Sequence, residues 1–251
     1  MRKHCSLTGS KASPNLGRML TVFSLLLAGL SVTAVAQMGG GASNPELQQK
    51  LMALKQSAAE NKQRLHHYQW TETQQITFKG EMKPEKVFQC SYGPNGQVQK
   101  IPMGAQQAPQ QKGRLRERVV EKKTDEMKDY MQQVQSLLSM YVPPNPELIQ
   151  QAMQKHNVSI DKTVGSNLTQ LVFKNYAKDG DQMTLGFDVA AKKIATINVN
   201  TYMDNPKDAV TLGVTMASLP DGTNYAQQTV LNATAKQIQV TTSNSNYAKI
   251  Q

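Results

Sequence analysis

The chain has 251 residues and carries 28 Lys and Arg against 18 Asp and Glu, a formal net charge of +10. The first 36 residues hold four basic and no acidic side chains, so the surplus beyond them is only +6, and no nucleic-acid recognition motif accompanies it. Cys5 falls inside those 36 residues and Cys90 outside, so a chain cut there has no internal disulfide and must be held by its core, with enough length for one large domain or two small ones.

The start of the chain reads as an export leader. Arg2, Lys3, Lys11 and Arg18 precede an apolar run over 20–35, which ends in Ala34-Val35-Ala36 before Gln37. A charged start, a short apolar stretch and an A-x-A end make a secretory signal. The run is shorter than the roughly 20 residues that span a bilayer core. Cleavage after Ala36 is expected, giving a soluble product in the periplasm or outside the cell. Cys5 precedes the apolar run and so is not a lipidated first residue. Residues 37–43 are a Gly-bearing tail, and 44–251 form one domain.

Asn44-Pro45-Glu46-Leu47 has the composition of a helix start: Asn caps, Pro suits the first turn, and Glu favours the positive end. Leu47, Leu51, Leu54, Ala58 and Leu65 continue it at helical spacing to residue 67. Tyr68, Trp70, Ile76 and Phe78 then alternate with polar residues up to Gly80, which predicts a strand. Residues 87–92 and 97–101 flank Gly93-Pro94-Asn95-Gly96 as a hairpin, with Phe88, Cys90 and Tyr92 on one face. That spacing predicts Cys90 as a buried structural thiol. Residues 104–113 form a Gln- and Pro-rich connection.

A helical segment follows over 115–141, with Leu115, Val119, Met127, Tyr130, Val134, Leu137, Leu138 and Tyr141 as its stripe. The polar run 122–126 interrupts the stripe, leaving two helices or one with an exposed middle. Lys112, Arg114, Arg116 and Arg118, with Lys122 and Lys123, make a local basic face, either solvated or in contact with an acidic membrane surface. Pro143, Pro144 and Pro146 stop the segment. Asn145-Pro146-Glu147-Leu148 opens another helix over 145–156.

Nearly all of the last third is strand signal: 168–176, 183–189, 194–202, 209–219, 225–231 and 237–242. Turns at Asp179-Gly180-Asp181, Asn205-Pro206 and Pro220-Asp221-Gly222 separate several of them. Short connections of this kind make antiparallel neighbours. One apolar face per strand suits a sheet covered on a single side, with the three helices as cover. The fold class is α+β.

Catalytic groups are few. Beyond the leader the only histidines are His66, His67 and His156, and no G-x-S-x-G elbow accompanies them. His66 and His67 point about 100° apart on a helix, which disfavours a shared metal. With Glu72 they form at most a site across the helix–strand junction, and a solvated, cationic helix end is the stronger expectation. Asp179-Gly180-Asp181 lacks the later ligands of a calcium loop and is expected to be a turn. No metal or cofactor is expected. Asn157, Asn167 and Asn232 begin N-x-[ST] triplets, which matter only in a host that glycosylates exported chains. The 13 methionines exceed ordinary usage, and Met127, Met131, Met140 and Met153 cluster in the helical middle as core filling or as an adaptable lid on a ligand.

Element order over 44–251 resembles the bacterial outer-membrane lipoprotein carrier superfamily. Local echoes are Tyr68-x-Trp70 entering the first strand, Lys79-Gly80-Glu81, Tyr92-Gly93-Pro94-Asn95-Gly96, Leu219 to Thr223, and Ser245-Asn246-Tyr247. The resemblance implies a curved, half-barrel-like antiparallel sheet closed by helices around a cavity for acyl chains, and a lipid or acylated protein as partner. The long basic helix departs from that pattern. The leading expectation is an exported, non-enzymatic protein that binds an apolar or lipid-bearing ligand between sheet and helices, lined by Trp70, Phe78, Phe88, Met127, Met131, Leu185 and Phe187. The alternatives are a structural or protein-interaction module of the cell envelope without a cavity, and a hydrolase using His66, His67 or His156.

Overall fold

Alternation of period two joined by short turns leaves each strand one neighbour to find on either side, and the computed structural model satisfies this in one sheet of 11 strands. The structure describes residues 56, 59–104, 114–162, 168–191 and 193–250. The leader and its cleavage point, the 37–43 tail, most of the first helix and Lys112 lie outside the described residues.

A helix over 59–65 (α1) leads into β1 (Tyr68–Phe78), β2 (Glu81–Met82), β3 (Lys86–Tyr92) and β4 (Val98–Met103). Two helices follow, α2 (Arg114–Leu138) and α3 (Pro146–Gln154). The rest is β5 (Val158–Lys162), β6 (Leu168–Lys174), β7 (Gln182–Asp188), β8 (Lys193–Tyr202), β9 (Ala209–Ser218), β10 (Asn224–Ala233) and β11 (Ile238–Lys249). The spatial order is β4-β3-β1-β11-β10-β9-β8-β7-β6-β5, with β2 attached to β1 and every pairing antiparallel. The sheet is open, with β4 and β5 at its edges.

Local chemistry explains the turns and caps. Lys79 and Gly80 take φ of 52° and 79° between the paired Phe78 and Glu81, the two left-handed residues that a tight hairpin of matching twist requires. Asn145 caps α3 as its composition predicts: its side-chain oxygen accepts from the Glu147 N–H at 2.9 Å, and Pro146 follows as the first helical residue.

Inward positions of β6 to β11 meet the buried stripe of α2 in one large apolar cluster. Tyr130, Met131, Val134, Leu137 and Leu138 of α2 pack there with Leu171, Phe173, Met183, Leu185, Ile197, Val199, Leu212, Leu231 and Val240. Ala152 of α3 joins them.

Three expectations are revised. The segment over 115–141 is the single helix of the two alternatives but is shorter: α2 runs unbroken through the polar stretch and ends at Leu138, with Tyr141 buried in the turn beyond. Polar side chains do not interrupt a helical ladder when they face solvent, and Asp125 and Glu126 are exposed. Strand β5 was not foreseen, because Val158 and Ile160 alone make too short a pattern; its partner β6 creates it, pairing Ile160 with Leu171. Strand β11 continues seven residues past Thr242 through Ser-Asn-Ser-Asn-Tyr-Ala-Lys, a run without apolar alternation that pairs with the first half of β1.

Candidate functional site

Register sets inward side chains of neighbouring strands in rows. One row holds Lys86, Gln74, Thr242 and Thr229 across β3, β1, β11 and β10. The next holds Phe88, Glu72 and Asn244, and the next Lys100, Cys90 and Trp70. Glu72, Gln74, Thr229 and Thr242 are all buried, so a polar band crosses the inner face. It separates the large cluster, which reaches β1 at Ile76, from a small one of Trp70, Phe88 and Cys90 flanked by Tyr92, Val98 and Tyr247.

The band holds an ion pair between the Lys100 ammonium and a Glu72 carboxylate oxygen, with side chains 8% and 3% exposed. Lys100 starts on the edge strand and reaches across β3, its nitrogen 5.8 Å from the centre of the Phe88 ring. Burial lowers the Lys86 amine from its ordinary value. Burial, and then the Glu72 carboxylate, push the Cys90 thiol up to about 12. A thiol held there is not a nucleophile at neutral pH. With Cys5 replaced by Ser, Cys90 is therefore expected to stay unmodified by Ellman's reagent in the native protein and to react fully in guanidinium; rapid native labelling would contradict the assignment.

Two polar atoms beside the band are buried without a hydrogen-bond partner, the Trp70 indole Nε1 and the Asn244 Oδ1. Asn244 is not free to turn away, because its Nδ2 donates to the Ala226 carbonyl at 2.8 Å. An unmet buried donor or acceptor costs about 1–3 kcal/mol each. Aromatic rings surround the indole: Tyr247 lies parallel to it at 5.6 Å, Tyr92 sits at 5.4 Å, and Tyr225 packs on Tyr247 at 4.3 Å. Burial pushes the Tyr92 hydroxyl up to about 12, so it stays neutral and protonated.

The histidines differ from expectation. His66 is no solvated cation at a helix end: it is half-buried and stacks on Tyr92 at 4.5 Å, and desolvation, followed by Lys62, lowers its pKa. The stacking partner arrives from β3, which no local pattern around His66 reveals. His67 is exposed beside it. His156 is exposed after α3 with φ of 57°. Glu72 points into the inner face toward Lys100. Among the described residues no group of three or more His, Cys, Asp or Glu is placed to hold a metal.

All but one of the residues predicted to line a cavity divide between the two clusters. Met131 and Leu185 belong to the large one, and Phe78 and Met127 pack against it half-buried. Trp70 and Phe88 belong to the small one. Phe187 stands half-buried at the end of β7. Sequence reasoning overlooked Lys100 and Asn244, and set Glu72 beside His66 and His67 where the structure pairs it with Lys100. A signal existed for Glu72 and Gln74, polar residues at the inward-facing positions of a strand whose other inward positions are Tyr68, Trp70, Ile76 and Phe78. Asn244 and Lys100 carried none.

At the far side of the sheet, Asp181 is committed to structure. Its carboxylate accepts from the backbone N–H groups of Tyr176, Ala177 and Lys178 and from the Tyr141 hydroxyl, the last at 2.6 Å. The Asp-Gly-Asp turn is thus a turn, as composition predicts. Nearby, an open groove of mixed polarity runs along α2, lined by Asp129, Gln133, Met140, Lys178 and Met203. No described helix is long and apolar enough to cross a membrane.

No protein-family model matches the chain, and no curated protein matches it. Among solved structures it is similar to a DUF1329 family protein from Desulfovibrio piger, at 8% identity and a TM-score of 0.38 over 80% of this chain and 92% of that one. It is also similar to a putative outer membrane lipoprotein-sorting protein domain from Vibrio parahaemolyticus, at 11% identity and a TM-score of 0.34 over 77% of this chain and 91% of that one.

Proposed function

We propose that the chain is an exported, non-enzymatic protein whose domain over 44–251 binds an apolar or lipid-bearing ligand between the inner face of a curved sheet and its covering helices. One observation carries this reading. The seam between α2, α3 and the sheet mixes six methionines with its branched and aromatic residues: Met131 and Met183 lie within the large cluster, and Met127, Met153, Met203 and Met216 pack against it. Unbranched thioether side chains repack around varied apolar shapes at small cost, which suits a seam that opens for a ligand and closes without one. Polar anchors hold α2 at particular points, among them Tyr130 to Asp208 at 2.8 Å and Tyr141 to Asp181. The leader supplies the export route, and the basic start of α2 supplies a transient contact with an acidic membrane surface.

Protein purified from its host envelope and delipidated is expected to take up an anthroyloxy-labelled stearic acid saturably, near one per chain. Uptake that rises linearly without saturation would remove the carrier reading. A second reading, an envelope interaction module, is favoured by exposed apolar residues near the β4 edge: Met82 is 73%, Ile101 66% and Met103 51% exposed. A protein partner recovered from envelope extract and lost on Ile101→Ser, with no lipid bound, would support that module instead.

A further inference from the structure

We propose that the inner face beside Trp70 binds the uncharged head of an amphiphile, a hydroxyl or amide group that both accepts and donates a hydrogen bond. This deepens the ligand-binding reading above and rests on it. Trp70 is 5% exposed, and its indole N–H is a buried donor with nothing to donate to. Asn244, opposite Glu72 on the neighbouring strand, offers a buried oxygen that accepts from nothing, while its nitrogen is held by the Ala226 carbonyl. The unmet donor thus stands on β1 two residues from the position opposite the unmet acceptor, at the register shift between Gln69 and Thr71. A head that can do both satisfies them together. Tyr92 and Tyr247 flank the indole and provide an apolar wall for the carbons next to such a head.

Charge at the site favours a neutral group. The Glu72 carboxylate and the Lys100 ammonium answer each other within the band, so neither calls for an ionic ligand. Lys86 lies in the next row, opposite Gln74, and its ammonium is already disfavoured by burial. A sheet face built only to pack would carry apolar residues at these inward positions. Leaving a fixed Asn oxygen and an indole N–H unmet is a feature that a bound partner explains.

The test displaces anthroyloxy-labelled stearic acid from the delipidated protein with monoolein, oleamide, methyl oleate and oleate. Monoolein and oleamide are expected to compete about tenfold more strongly than methyl oleate, which accepts but cannot donate. Asn244→Ala, which removes the acceptor that methyl oleate cannot use, is expected to abolish most of that advantage while leaving methyl oleate unchanged; Trp70→Phe, which removes the N–H and keeps a ring, is expected to weaken monoolein, oleamide and methyl oleate alike. Should Asn244→Ala fail to fold, Trp70→Phe decides alone: competition by monoolein and methyl oleate that it leaves unchanged would overturn the proposal. Equal competition by all four, or oleate as the strongest competitor with its advantage lost on Lys86→Met, would overturn the proposal and leave the carrier reading intact. Absence of saturable label uptake, seen before any competitor is added, would overturn both.

Discussion

Lys100→Ala is expected to destabilise the protein by about 3–5 kcal/mol in urea unfolding, because it leaves the buried Glu72 carboxylate without its ion-pair partner. The two side chains are 8% and 3% exposed, so water cannot replace the missing partner as it would at a surface pair worth about 1 kcal/mol or less. Glu72→Ala leaves the ammonium stranded in turn and is expected to cost a similar amount. Replacing both partners by apolar residues of similar size, Glu72→Leu with Lys100→Met, removes the buried charge altogether. That double variant is expected to return to within about 1 kcal/mol of the parent or above it, since desolvation offsets most of a buried pair's attraction. A loss of less than about 1 kcal/mol in either single variant would show that the band is wet. The double variant also separates stability from function: it keeps Trp70 and Asn244, so head-group preference should survive it.

The second large effect belongs to Asp181. Asp181→Ala withdraws the acceptor from three backbone N–H groups and the Tyr141 hydroxyl at once. The carboxylate is 2% exposed, and burial together with that hydrogen bond pushes the Tyr141 hydroxyl well above its ordinary value. At about 1–3 kcal/mol for each buried donor left unmet, with partial relaxation, the expected loss is about 3–5 kcal/mol. Tyr141→Phe removes one donor and keeps the ring packing against Tyr176 at 5.6 Å, so about 1–2 kcal/mol is expected. Thermal or urea unfolding of the pair checks the ranking. If Asp181→Ala costs no more than Tyr141→Phe, the backbone groups of the turn find water and the network is not the anchor of the α2 end. Because Tyr141 lies just beyond α2, loss of this anchor should also loosen the seam between α2 and the sheet, read as faster amide exchange along α2 than along β1.

Particular residues show where sequence reading succeeds and where it stops. The strand at 68–78, the β3–β4 hairpin with Cys90 on its buried face, and the Asn145 cap are all legible, because each depends on neighbours a few positions away. Polar residues inside α2 left its continuity open between one helix and two, since exposure and interruption look alike in one dimension. Strand β5 and the second half of β11 have no pattern of their own and exist because a partner strand lies beside them.

The amino-acid sequence alone therefore determined the kinds of elements, their turns and which face of most strands turns inward, because period and capping are local properties of the chain. Only the tertiary structure decided that β11 returns to lie between β1 and β10, and that Lys100 meets Glu72 while Trp70 Nε1 and Asn244 Oδ1 are buried without a hydrogen-bond partner. The reason is that backbone hydrogen bonds between strands are the same for every residue, so alternation names a strand's face but not its neighbour. The neighbour is chosen by how the whole buried surface fits together.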